Sequence, residues 1–207
     1  RAVTLPGGLR ALLSSDPSTD FAAAAVDVSV GSADDPKEFP GLAHFLEHML
    51  FMGSKKYPDE SEYSRFLTQN GGYDNAFTAD EHTNFFFKVQ ASALSEALDR
   101  FAQFFSAPLL KESSAAREVM AVDAEHRKNL NSDAWRLQQL ELTTCGGRAA
   151  HFGTGDKDTL NHGSRRVVEA LRRFHSAHYV ASNLTLTILG AEPLDELEEM
   201  ARAAFAR

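Results

Sequence analysis

Two imidazoles and a carboxylate sit inside an apolar run. In GLAHFLEHMLFMG, residues 41 to 53, His44, Glu47 and His48 share the segment with Leu, Phe, Met and Ala. Such groups are costly to bury without partners, so any fold that places this segment inside has to supply them. The spacing predicts a helix, with Pro40 where a first-turn proline is tolerated and Gly53 where a helix commonly stops. His44 and His48 are then i and i+4, on one face with Cβ atoms roughly 6 Å apart. Two imidazoles so placed can reach one zinc ion, and Glu47 flanks the same face without having to bind it. The alternative is a pair of satisfied core histidines beside a capping or surface glutamate.

His-x-x-Glu-His in an apolar frame is an inverted zinc-site pattern, which favours the metal reading over the core one. The rest of the chain limits what surrounds it. At 207 residues it is long enough to bury a sizeable core, and 43% hydrophobic with 24% charged residues is an ordinary globular composition. The net charge of -8, without a Lys/Arg-rich run, argues against nucleic acid or an anionic membrane surface as partner. No apolar run approaches ~18 residues, so no membrane-spanning helix is expected. The single cysteine, Cys145, excludes an internal disulfide and fits a reducing compartment. A cytoplasmic location is therefore expected. Because the chain begins at Arg1 rather than Met, a trimmed targeting segment and an organellar or secreted location stay open.

Turn residues separate periodic segments. GLRALLSSD and AAAAVDVSV read as strands, the second placing Val26, Val28 and Val30 on one face. In PDESEYSRFLTQNGG, Asp59 is expected to cap a helix, Glu62 to complete a capping box and Gly71 to end it. AFTADEHTNFFFKVQ reads as a strand pair around a turn. Leu94, Leu98, Phe101 and Phe105 recur at helical spacing until Pro108. One long helix is expected from about Ser113 to Leu142, ahead of Cys145, Gly146 and Gly147. HFGTGDKDTLNHG reads as a polar, glycine-rich loop, followed by a helix through VVEALRRFHSAHYV, a strand LTLTILG and a helix from near Pro193. The expected fold is a single α+β domain, a mainly antiparallel sheet with helices on one face.

A catalytic zinc usually has three protein ligands and an open position. The long helix offers Glu118 and Glu125, seven residues apart and so on one face. Spacing alone does not separate them, and acidic residues on a helix are most often a solvated face.

Several motifs occur in one order: HFLEH, MLFMGSKKYPDESEYSRFL, NAFTADEHTNFFF, ALDRFAQFF, REVMAVDAEH, DAWRLQQLE, FGTGDKDTL and FHSAHYVASNL. Together they span almost the whole chain, and they resemble the N-terminal catalytic domain of the insulysin and pitrilysin family of zinc metalloproteases, the inverzincins. The resemblance implies that Glu125, 77 residues after His48, is the third zinc ligand with His44 and His48. It implies that Glu118 supports the site from behind a ligand, and that Glu47 is the base that takes a proton from water and later protonates the leaving amine. Peptide substrates would lie as an added strand along YDNAFTA, with Asn75 hydrogen-bonding their main chain. Phe51, Ala76, Phe77 and Trp135 would line pockets beside the cleaved bond; the alternative for each is plain core packing, which is the better reading of Phe51 or Phe77 taken alone. Gln138 departs from the aromatic residue of the insulysins, so preference just past the cleavage point is expected to differ.

On this resemblance, residues 1–207 are the first of four related domains arranged as two halves around a chamber. The other half supplies an Arg and a Tyr that face the zinc. The remaining homologous domains are thus expected partners, a homo-oligomeric parent stays open, and the chain alone is expected to be a weak protease. Two other classes compete: a non-catalytic peptide-binding module of the same fold, and an unrelated protein with a structural zinc. An intact motif weighs against the first, and a ligand set without cysteine against the second.

Overall fold

The strands lie where β-branched and aromatic residues alternate. The computed structural model describes residues 1–144, 151–161 and 163–205; the expectation of a helix leading to Cys145, Gly146 and Gly147 reaches beyond them at its end. Six strands form one sheet: β1 (Ala2–Thr4), β2 (Arg10–Ser15), β3 (Phe21–Val28), β4 (Tyr73–Thr78), β5 (Thr83–Gln90) and β6 (Leu184–Gly190). Their order is β1-β2-β6-β3-β5-β4. Only β2 and β6 pair in parallel; the other pairings are antiparallel, so the sheet is mainly antiparallel as expected.

Eight α-helices complete the described fold: α1 (Leu42–Leu50), α2 (Glu62–Gln69), α3 (Leu94–Ser106), α4 (Glu112–Asn129), α5 (Asp133–Thr144), α6 (Lys157–Leu160), α7 (Ser164–His178) and α8 (Leu194–Phe205). Alternate residues of the sheet, among them Ala22, Ala24, Val26 and Val28 of β3 and Phe85, Phe87 and Val89 of β5, are buried with Phe45 and Leu46 of α1 and Phe101 of α3 in a continuous core. The opposite sheet face stays open, with Leu12 and Phe21 exposed. The α+β architecture with helices on one face is as the sequence suggested. No helix among the described residues is long and apolar enough to cross a membrane.

Four local expectations are corrected. Pro40 is not in the first turn of α1: the cap is Gly41, at φ 88°, and the orphan amides are met by Asp35. Its carboxylate accepts from the Gly41 amide at 2.6 Å and the Ala43 amide at 2.8 Å. Burial lifts the Asp35 carboxyl to a pKa of about 7, against the pull of those amides. Asp59 does not cap α2. Its carboxylate accepts from the Ser61 amide at 3.0 Å and pairs with Arg65 at 2.9 Å, while Glu62 turns to Arg100 at 2.8 Å. The long helix is two, α4 and α5, broken at residues 130–132, where the Asn131 side chain donates to the Arg127 carbonyl at 3.4 Å. Finally, the polar loop contains the one-turn α6, whose Asp156 cap accepts from the amides of Asp158 and Thr159 at 2.8 Å each.

Candidate metal centre

Helix α1 runs across the buried sheet face and carries His44, Glu47 and His48, while α4 packs beside it and brings Glu118 and Glu125. The two imidazoles meet edge to face with centroids 4.8 Å apart. One oxygen, Glu125 Oε2, lies 3.6 Å from His44 Nε2 and 3.6 Å from His48 Nε2. Donors around a tetrahedral zinc, at bonds of about 2.0–2.1 Å, stand about 3.3 Å from one another. The three ligand atoms, all within 4.8 Å of each other, are therefore close to the geometry that zinc requires, and an imidazole–imidazole–carboxylate set suits that ion.

The far nitrogens are held as a metal ligand's would be. His44 Nδ1 donates to the carbonyl of Thr154 at 2.7 Å, and His48 Nδ1 lies 3.4 Å from Glu118 Oε2. Both contacts fix the ring orientation and turn Nε2 toward Glu125, so that a neutral imidazole would offer its Nε2 lone pair to an ion there. The electrostatics ask for positive charge. Burial disfavours a charged His48, but its hydrogen bonds to Glu118 and Glu125 outweigh this and push its pKa up to about 9. The same contact with His48 holds the Glu125 carboxyl below its ordinary range, against its own desolvation. A divalent cation satisfies this demand directly.

Glu47 is buried, 8% exposed, and its Oε2 accepts a 2.6 Å hydrogen bond from Thr78 Oγ1 at the end of β4. Burial raises its pKa, and the neighbouring imidazoles and Thr78 offset this only in part. A carboxyl so held is suited to exchange protons with a water at the centre.

An open cleft of about 790 Å³ surrounds these groups. All ten residues singled out from the sequence line it: His44, Glu47, His48, Phe51, Asn75, Ala76, Phe77, Glu118, Glu125 and Trp135. They come from four places. Phe51 follows α1 and packs edge-on against Phe104, with centroids 5.0 Å apart. Asn75, Ala76 and Phe77 lie on β4, an outer strand of the sheet, with Ala76 turned to the helix side and Phe77 exposed. Trp135 and Gln138 belong to α5, which buries no residue and forms a far wall.

Two contributors escaped the sequence reading. Thr78 lies inside the quoted YDNAFTA segment, but nothing in its identity points to Glu47. Thr154 acts through its carbonyl, which no side-chain pattern signals. Its placement depends on two glycines back to back. A Cβ on Gly41 would come within 2.2 Å of the Gly155 Cα, and both residues have positive φ. The FGTG spacing of the loop was the available clue. Asp123, on α4, holds the same loop by accepting from the Lys157 amide at 3.3 Å.

The family described as Insulinase (Peptidase family M16) matches residues 10–148, and the Peptidase M16 inactive domain matches residues 166–207. The second stretch is no separate unit, since its strand β6 lies between β2 and β3. The chain is 50% identical to insulin-degrading enzyme of Mus musculus, covering 100% of this chain and 21% of that protein. It is 45% identical to a protein of Schizosaccharomyces pombe named putative zinc protease mug138, covering 100% of this chain and 22% of that one. The crystal structure of pitrilysin superposes with a TM-score of 0.95 at 38% identity, over 99% of this chain and 22% of pitrilysin. The chain thus spans only about a fifth of the length of these relatives.

Proposed function

Since the chain belongs to the insulinase family, peptidase family M16, a family of metallopeptidases, we propose that it is the zinc-dependent catalytic domain of an endopeptidase that cleaves peptides and small proteins. The observation that carries this reading is the single oxygen of Glu125 equidistant from two imidazole Nε2 atoms, with the buried Glu47 carboxylate beside them. His44, His48 and Glu125 would hold the ion. Zinc bound there supplies Lewis acidity, polarising a peptide carbonyl and making water a better nucleophile. Glu47 takes the proton from the attacking water and passes one to the leaving amine. Glu118 and the Thr154 carbonyl orient the two imidazoles.

Substrate binding falls to β4. As one of the two outer strands, and the one that lines the cleft, it presents unpaired main-chain groups along one edge, to which an extended peptide adds as a further strand. Asn75 is assigned to the peptide main chain, and Phe51, Ala76, Phe77 and Trp135 to the side chains beside the cleaved bond. Thr78, at the end of the same strand, fixes the Glu47 carboxylate. In the full-length, zinc-loaded enzyme, Thr78→Val is expected to lower kcat roughly 10-fold, the worth of a hydrogen bond to a charged group. KM and zinc content should not change, and Thr78→Ser should retain most of the rate. Steady-state kinetics on a peptide substrate check this; a raised KM with unchanged kcat would place Thr78 in substrate binding instead.

We propose further that residues 1–207 act as the first domain of a multi-domain enzyme, with the related domains closing the cleft. The supporting observations are the openness of the cleft and the exposed wall α5. The test is a quenched fluorescent peptide incubated with the zinc-loaded chain alone, and again after the separately purified remainder of the parent protein is added. Little turnover alone and a rise on addition are expected, because an open site loses substrate positioning and oxyanion donors that typically contribute about 10²- to 10³-fold each. Parent-like turnover by the chain alone would contradict the division of labour, and no zinc-dependent turnover in either case would contradict the peptidase reading.

A further inference from the structure

Five carboxylates line the cleft, Glu47, Asp74, Asp80, Glu118 and Glu125, and among the described residues no Lys or Arg does. Three of the five surround the candidate metal centre. Asp80 has a long contact with Ser32 Oγ at 3.5 Å. Asp74 is left over: it makes no ion pair and no side-chain hydrogen bond among the described residues, its one contact being its own amide. It is half-buried, and burial raises its pKa above the usual carboxylate range. An unpaired carboxylate in such a place is costly.

Its position gives the cost a use. Along β4 the residues turned to the helix side are Asp74, Ala76 and Thr78. Asp74 lies four residues, roughly 13 Å, along the strand from Thr78, the residue that hydrogen-bonds the proposed base Glu47. The cleft that Asp74 lines also has Phe51, Met52, Ser64 and Ala76 in its wall. A long cationic side chain buries its methylenes on apolar walls while keeping its charge at a polar end, and the cleft offers both kinds of group, apolar in Phe51, Met52 and Ala76 and anionic in Asp74. The buried Tyr63 hydroxyl, also without a hydrogen-bond partner among the described residues, feels the charge of Asp74 but does not line the cleft, so it leaves that carboxylate unsatisfied.

We propose that Asp74 is a specificity-determining residue that selects a Lys or Arg side chain of the substrate within about four residues of the cleaved bond. The proposal rests on the reading of β4 as the substrate-binding edge. It is tested by binding, so that it does not depend on turnover. The full-length Glu47→Gln protein, zinc-loaded, is titrated with fluorescent peptides that differ only by Lys, Gln or Glu at successive positions, and binding is followed by anisotropy.

At one position the Lys peptide should bind roughly 10-fold more tightly than the Gln peptide, between the worth of an exposed and a buried ion pair. Asp74→Asn should remove the difference, and Asp74→Lys should reverse it in favour of Glu, with zinc content confirming that both variants fold. Equal affinities at every position, or a Lys preference that survives Asp74→Lys, would overturn the proposal. The same peptides offered to the Glu47 enzyme keep the two readings apart. Selective binding without any hydrolysis contradicts the peptidase and leaves the selection by Asp74 standing, whereas hydrolysis without selection does the opposite.

Discussion

Glu47→Gln in the full-length enzyme is expected to abolish peptide hydrolysis, by about 10³-fold or more, while zinc stays bound. The side chain is close in shape, and the amide oxygen can still accept from Thr78 Oγ1, now 2.6 Å from Glu47 Oε2. What disappears is the group that takes the proton from water, and general bases contribute typically 10²- to 10⁴-fold. None of the three proposed ligands changes, so metal content should match that of the unaltered protein. Hydrolysis by the zinc-loaded variant at the unaltered rate would sink the assignment of Glu47 as base. Loss of zinc would make Glu47 part of the ligand set.

The second large effect separates the two glutamates of α4. Glu125→Gln is expected to lose zinc outright, because its Oε2 is the atom that lies 3.6 Å from both Nε2 atoms. Glu118 meets His48 from the other side of the ring, 3.4 Å from Nδ1. Its change to Gln should weaken zinc retention by roughly 10- to 100-fold, as the loss of a group behind a ligand does. Metal analysis of the purified variants after dialysis decides this, and the reverse order would show the two roles exchanged.

How far the sequence could be read depended on whether a feature was written in side-chain spacing. The pairing of His44 with His48 follows from helical geometry, and the alternation of Val26 and Val28 from strand geometry, so both were legible, whereas Val30 is buried beyond the end of β3. Glu125 is different: it is brought to α1 by the packing of α4, and only the resemblance chose it over Glu118. Capping at Asp59 was misread because a carboxylate can serve several partners. The amide of Ser61 and the guanidinium of Arg65 won it, while Arg100 drew Glu62 away. The break between α4 and α5 lay in Asn129, Asn131 and Ser132, polar residues that compete for the backbone yet also occur inside helices. The Thr154 carbonyl was beyond reach, since every residue carries a carbonyl, and its position depends on the close approach of Gly41 to Gly155.

The same contrast explains why Asp74 stands out only in the folded chain. In the sequence it is one acid among the 29 Asp and Glu of an acidic protein. In the fold it is a carboxylate without an ion-pair partner among the described residues, on the helix side of β4 and in the wall of the cleft.

The central claim is that one zinc ion is held by His44, His48 and Glu125 with Glu47 beside it and unbound. Its most direct test is a crystal of the zinc-loaded chain measured on both sides of the zinc absorption edge. One anomalous peak is expected, about 2.0–2.2 Å from His44 Nε2, His48 Nε2 and a Glu125 carboxylate oxygen, with the Glu47 carboxylate near it but outside bonding distance. A peak bonded to Glu47 or Glu118 in place of Glu125, or no peak in this cleft, would contradict the account.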